Sequence, residues 1–69
     1  MSTAAELIRK ELEARGWSVP TLSLAAGLSE RTVRDLLAGW SVTPEIAAGL
    51  ARAFGTSAEM WLGLGGGEG

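Results

Sequence analysis

Glycine closes one apolar run after another along this chain: Gly16, Gly27, Gly39 and Gly55 each follow a stretch whose apolar residues recur at helical spacing. A glycine there marks the position just past a helix, where the backbone turns left-handed and a side chain would be strained. Ahead of each run stands a short polar residue able to cap a helix N-terminus: Thr3, Ser18, Ser29, Thr43, and either Thr56 or Ser57. Cap, apolar run and glycine repeat too closely for long helices or a sheet. No stretch has the period-two alternation and β-branched enrichment of a strand. The expected class is all-α, with five short helices.

The boundaries follow from the same signals. Helix one is expected over about 4–15, with Thr3 and Glu6 as a capping box and Ala5, Ile8 and Leu12 on one face. Helix two runs over 19–26, with Pro20 tolerated in its first turn and Leu22, Ala25 and Ala26 inward. Helix three runs over 30–38, burying Val33, Leu36 and Leu37. Helix four runs over 44–54, opened by Thr43-Pro44, with Ile46, Ala47, Leu50 and Phe54 as its stripe. A fifth helix is expected over 57–62, from a Thr56–Glu59 capping box. The expected domain is 1–62. The glycine-rich tail 63–69 offers no core and is expected to be disordered.

The chain has 69 residues, which holds one domain with a thin stability margin. It has no cysteine and no histidine. That removes the disulfide framework, the usual zinc ligands, the commonest general base and the thiol nucleophile. The carboxylates are scattered over helix surfaces, and neither a catalytic constellation nor a cofactor or metal site is expected. The terminal glycines lack the preceding strand and the following Lys-Ser/Thr of a phosphate loop. With no basic and apolar leader and no long apolar run, a soluble, cytoplasmic protein is expected.

Function is legible in one segment, Ser18–Gly39. Two short helices meet across Gly27-Leu28-Ser29, with Ala26 small enough for close approach and Leu28 placed to plug the angle between them. A three-to-four-residue turn between short helices is helix-turn-helix geometry, whose second helix lies in the major groove of DNA. Helix three then presents Glu30, Arg31, Arg34 and Asp35 outward, with Thr32 beside them. Arg31 is suited to fork onto a guanine, Thr32 to touch a phosphate or a thymine methyl, and Arg34 to meet a phosphate or a base. Ser18, Ser29, Ser41 and Thr43 are candidate backbone contacts, and the N-termini of helices two and three can hold phosphates. The bland alternative is a solvated face, with Glu30–Arg34 and Arg31–Asp35 as i,i+4 ion pairs of about 0.2–0.5 kcal/mol each.

The stretch Gly16-Trp17-Ser18 to Ala26-Gly27-Leu28-Ser29, then Arg31-Thr32-Val33 and Leu36-Leu37-Ala38-Gly39, resembles the Xre/Cro-C1 helix-turn-helix family. Its continuation, Val42-Thr43-Pro44-Glu45, the run Leu50–Glu59 and Trp61-Leu62, is similar to the HigA-type (VapI-like) antitoxin branch. The resemblance implies a lambda-repressor-like five-helix bundle, a homodimer formed through the last helix, and a palindromic operator. In the antitoxin branch it also implies capture of an RNA-cleaving toxin and repression of the protein's own operon. The sequence departs from the family in three places. Val19 stands where a glutamine often contacts the DNA backbone, Trp40-Ser41 replaces a basic loop, and two acids balance two arginines on the outer face of helix three. Each departure removes phosphate attraction.

The tryptophans divide. Trp17 is expected in the core, closing helix one onto helix two. Trp40 either covers the end of helix three or is an exposed anchor. Met60, Trp61, Leu62 and Leu64 either wrap onto the core or form a dimer face, and the dimer face is the expectation carried forward. Two functions compete on this scaffold. One is a dimeric, sequence-specific DNA-binding repressor. The other is an antitoxin-like module that neutralises a protein such as an RNase toxin, which the formal net charge of −2 would suit. An enzyme is not expected.

Overall fold

The computed structural model of the protein describes residues 3–65. It contains α1 (Thr3–Arg15), α2 (Val19–Ala26), α3 (Glu30–Leu37), α4 (Pro44–Phe54) and α5 (Ala58–Gly65), with no strand among the described residues. The fold is the lambda-repressor-like all-α bundle. Gly16, Gly27, Gly39 and Gly55 all have positive φ. Thr43 and Ser29 cap as expected, each hydroxyl accepting the N–H three residues on, Ile46 at 3.2 Å and Thr32 at 3.1 Å. At α5 the cap is Ser57, which accepts from Met60 N–H at 3.2 Å. Thr56 instead accepts the indole N–H of Trp61 at 2.7 Å. Ser18 makes no side-chain cap; its hydroxyl pairs with that of Thr21 at 3.1 Å. Thr3 is already part of α1.

The helices wrap one core. α1 packs on α3 and α5, α2 on α3 and α4, and α4 on α5. Ile8, Leu22, Ala26, Val33, Leu36, Ala47, Leu50 and Phe54 supply most of it, all but Phe54 2% exposed or less. Val42 joins them from the α3–α4 loop. The largest fully buried side chain is Trp61. This corrects the expectation of Trp61 as a dimer face: the indole is enclosed by the chain's own helices, and its one polar atom is satisfied by Thr56. Met60 remains exposed, and Leu62 and Leu64 are half-buried.

A row of rings closes one end of the bundle. Trp17 stacks on Phe54 and Phe54 meets Trp61, both with centroids 5.7 Å apart. Trp17 is half-buried at the α1–α2 connection and also meets α4 through Phe54. The guanidinium of Arg15 lies over both Trp17 and Phe54, 5.4 and 5.0 Å from their centroids. Trp40 is 66% exposed, which decides between its two alternatives in favour of an open indole.

The end of the chain also departs from expectation. The helix does not stop at 62: α5 continues through Gly65. Leu64 packs against the core, so burial holds the helix one turn further despite Gly63 and Gly65. The rest of the expected disordered tail, 66–69, lies outside the described residues.

Candidate nucleic-acid interface

The turn between α2 and α3 is fastened from both sides. Within the turn, Leu28 N–H donates to Ser23 carbonyl at 3.0 Å, and Ser23 hydroxyl donates back to Leu28 carbonyl at 2.5 Å. From across the core, Arg52 of α4 donates to Ala26 carbonyl at 3.4 Å. Beside it, a Cβ on Gly49 would lie 2.5 Å from Ala26 carbonyl oxygen, so only glycine lets α4 approach α2 this closely. Leu28 is half-buried against the core, as a plug between the helices should be. The angle of the motif is thus set by Ser23, Leu28, Gly49 and Arg52 together.

α3 has eight residues and little helical stability of its own. It is held at both ends. At the N-terminus Ser29 accepts from Thr32 N–H and donates to Thr32 hydroxyl at 2.9 Å. By helix geometry the N–H groups of Glu30 and Arg31 have no intrahelical acceptor. At the C-terminus Arg9 of α1 donates to Leu37 carbonyl at 2.8 Å. Val33 and Leu36 are buried beneath the helix. A helical repeat of 3.6 residues then puts Arg31 on the opposite side, facing out.

The cations are unevenly distributed. Arg9, Arg15 and Arg52 each donate to a carbonyl at the end of another helix: α3, α4 and α2 in turn, with Arg15 on Phe54 at 3.3 Å. Those carbonyls carry the negative end of the helix dipole and lack intrahelical donors, so each arginine stabilises a helix terminus. Arg34 lies 3.6 Å from Glu30 in an exposed i,i+4 pair. The corresponding Arg31–Asp35 pair does not form. Arg31 is exposed and, among the described residues, has no hydrogen-bond or ion-pair partner.

The candidate contacts therefore fall into groups. Arg31 and Arg34 stand on the outer face of α3, with Asp35 half-buried beside them. The hydroxyls of Ser18, Ser29, Thr32 and Thr43 are engaged in local bonds at helix starts, and Ser41 is exposed in the loop before α4. Sequence reasoning missed Ser23, Arg9, Arg52 and Gly49. Only Gly49 carried a signal, as a glycine inside a helical apolar pattern, which points to close packing. The partners of the arginines are 26 to 39 residues away, and no local pattern announces them.

Among the described residues no group of acidic side chains is placed to hold a metal ion, and no helix is long and apolar enough to cross a membrane. No curated protein matches the chain. The helix-turn-helix family model matches residues 8–61, from the middle of α1 into α5. Most of the chain lies within that match, and it includes every part of the α2–turn–α3 unit described above. Families of this kind bind DNA and are generally not enzymes. The chain belongs to the Xre/Cro-C1-type helix-turn-helix family of DNA-binding transcriptional regulators.

Proposed function

We propose that the protein is a sequence-specific repressor that binds a palindromic operator as a symmetric dimer, each α3 reading one half-site in the major groove. The observation that carries this is Arg31, an exposed guanidinium opposite the buried face of α3 and without a partner among the described residues. A guanidinium so placed is available for bidentate contact with guanine. Arg34 is the second contact, released from Glu30 at small cost because an exposed i,i+4 pair contributes only about 0.3–0.5 kcal/mol. Ser18, Ser29, Thr32, Ser41 and Thr43 complete the proposed surface as positioning contacts to the sugar-phosphate backbone, and Asp35, an acceptor, is suited only to a base amino group. A shift assay on the DNA upstream of its own gene tests the proposal. A shifted band at low salt is expected; its absence from folded protein rejects the function, because low salt maximises phosphate binding.

A second reading, an antitoxin-like module on the same scaffold, is favoured by the 66% exposed Trp40 and by the net charge of −2. An exposed tryptophan is a strong anchor for a protein partner, and an acidic chain suits a basic RNase toxin. The discriminating measurement is RNA cleavage by a ribonuclease encoded beside the gene. Inhibition by the wild-type chain that is lost in Trp40→Ala supports this role, and undiminished cleavage rejects it.

A further inference from the structure

We infer that Glu30 is a specificity-determining residue of α3: it admits a base that presents an amino group toward it and rejects phosphates and acceptor edges. The inference rests on the operator-binding function proposed above. Glu30 is the first residue of α3, the end from which a recognition helix reaches base edges. Its side chain is half exposed, and its carboxylate holds Arg34 at 3.6 Å.

The rest of the molecule makes that carboxylate count. Arg9, Arg15 and Arg52 are tied to helix-end carbonyls and Lys10 is exposed on α1, so Arg31 and Arg34 are the only cations α3 itself carries. When Arg34 turns to a phosphate, Glu30 loses its partner and faces the duplex alone. An ionised carboxylate only accepts hydrogen bonds. Phosphate oxygens, guanine N7 and O6, and thymine O4 are acceptors too, whereas cytosine N4 and adenine N6 donate. A duplex offering an amino group on the strand nearest Glu30 satisfies it. Any other leaves like charges or lone pairs opposed at short range in a partly desolvated groove. Glu30 therefore lowers affinity for most DNA and spares the operator, making a chain with few free cations selective.

The test compares wild type, Glu30→Gln and Glu13→Gln on an operator duplex and a scrambled duplex of equal length, by fluorescence anisotropy across a salt series. Glu30→Gln keeps the size and the acceptor but removes the charge and adds a donor. Glu13 is exposed on α1 and gives the same change of net charge away from α3. Glu30→Gln is expected to bind the scrambled duplex about tenfold more tightly at low salt, with its logarithmic salt slope steeper by about 0.9, equivalent to one more phosphate contact. The operator-to-scrambled ratio falls by a comparable factor, and Glu13→Gln leaves it unchanged. Circular dichroism of each variant confirms that the helices are intact. An unchanged ratio in Glu30→Gln overturns the inference, as does an equal effect of Glu13→Gln, which would make it a matter of net charge. Loss of operator binding in Glu30→Gln with unaltered scrambled binding also overturns it, because Glu30 would then only attract. If folded wild type binds neither duplex, the operator-binding function itself fails and this inference falls with it.

Discussion

Gly49 occupies a helix interior, where glycine is ordinarily unfavourable by about 0.5–1 kcal/mol relative to alanine. Here the sign reverses. A methyl group would lie 2.5 Å from Ala26 carbonyl oxygen, the same oxygen that Arg52 bonds at 3.4 Å. Gly49→Ala is expected to push α4 off α2 and to destabilise by about 1–2 kcal/mol, the overpacking cost exceeding the propensity gain. Thermal unfolding should record a fall of roughly 4–8 °C per kcal/mol for a domain of this size; a melting temperature equal to or above wild type would show that the helices relax freely. Trp61 is the other residue whose environment decides its role. Its sequence neighbours Met60 and Leu62 are apolar too, so spacing could not tell a dimer face from a buried anchor. The packing can: the indole is 0% exposed and donates to Thr56. Truncating a buried tryptophan removes about 3–5 kcal/mol. Trp61→Ala is therefore expected to unfold the chain, seen as loss of helical circular dichroism at ambient temperature. A folded Trp61→Ala protein of altered mass would restore the dimer-face assignment.

Single elements are held at their ends more than by their own propensity. α3 is the extreme case: eight residues, a serine cap at one end and an arginine from α1 at the other. Ser29→Ala orphans Thr32 N–H and is expected to lower stability by about 1 kcal/mol. Arg31→Ala removes a side chain with no partner among the described residues, so stability should stay within about 0.5 kcal/mol of wild type while operator affinity falls by about 1–3 kcal/mol. Chemical denaturation and DNA titration on the same two variants separate the roles. Equal loss of stability in both would mean that Arg31 serves the fold. At this scale the sequence was a good guide, because caps and left-handed glycines are local chemistry. α2 and α4 have the expected limits, and α3 ends one residue early, at Leu37. What local chemistry cannot announce is the donation of Arg9, Arg15 and Arg52 to the ends of distant helices. An arginine in the last turn of its own helix, such as Arg15, reads as a solvated charge until the neighbouring carbonyl is in view. The same limitation explains α5, whose last turn depends on Leu64 reaching the core across two glycines. The candidate interface was legible as a helix face, but the division between the free Arg31 and the paired Arg34 was not: both i,i+4 pairs had the right spacing, and one formed.

At the scale of the whole molecule, size and charge both argue for two copies on DNA. The domain measures 30 × 21 × 21 Å. Half-sites of an operator for this motif lie about 34 Å apart, so a domain of this size has room for one half-site, as the proposed operator binding requires. Among the described residues only Lys10, Arg31 and Arg34 are not tied to a helix end, so a single domain would make few phosphate contacts, which supply a large share of affinity for DNA. Joining two domains makes the second contact intramolecular, which multiplies affinity without any new chemistry. The proposed contact lies on α5, but not at Trp61. Met60 is the exposed apolar residue of that helix, with Leu64 half-buried one turn on. Met60→Glu puts a charge into the proposed interface and leaves the core untouched, so the fold should persist. The variant is expected to sediment as a monomer at concentrations where wild type is dimeric, and to lose operator affinity by about tenfold to a hundredfold through loss of the paired half-site. Its affinity for an isolated half-site should match that of wild type, because α3 is unchanged. Identical sedimentation of the two proteins would place the dimer contact elsewhere. A monomeric variant that still binds the full operator at wild-type strength would instead mean that the two α3 helices do not act as a pair.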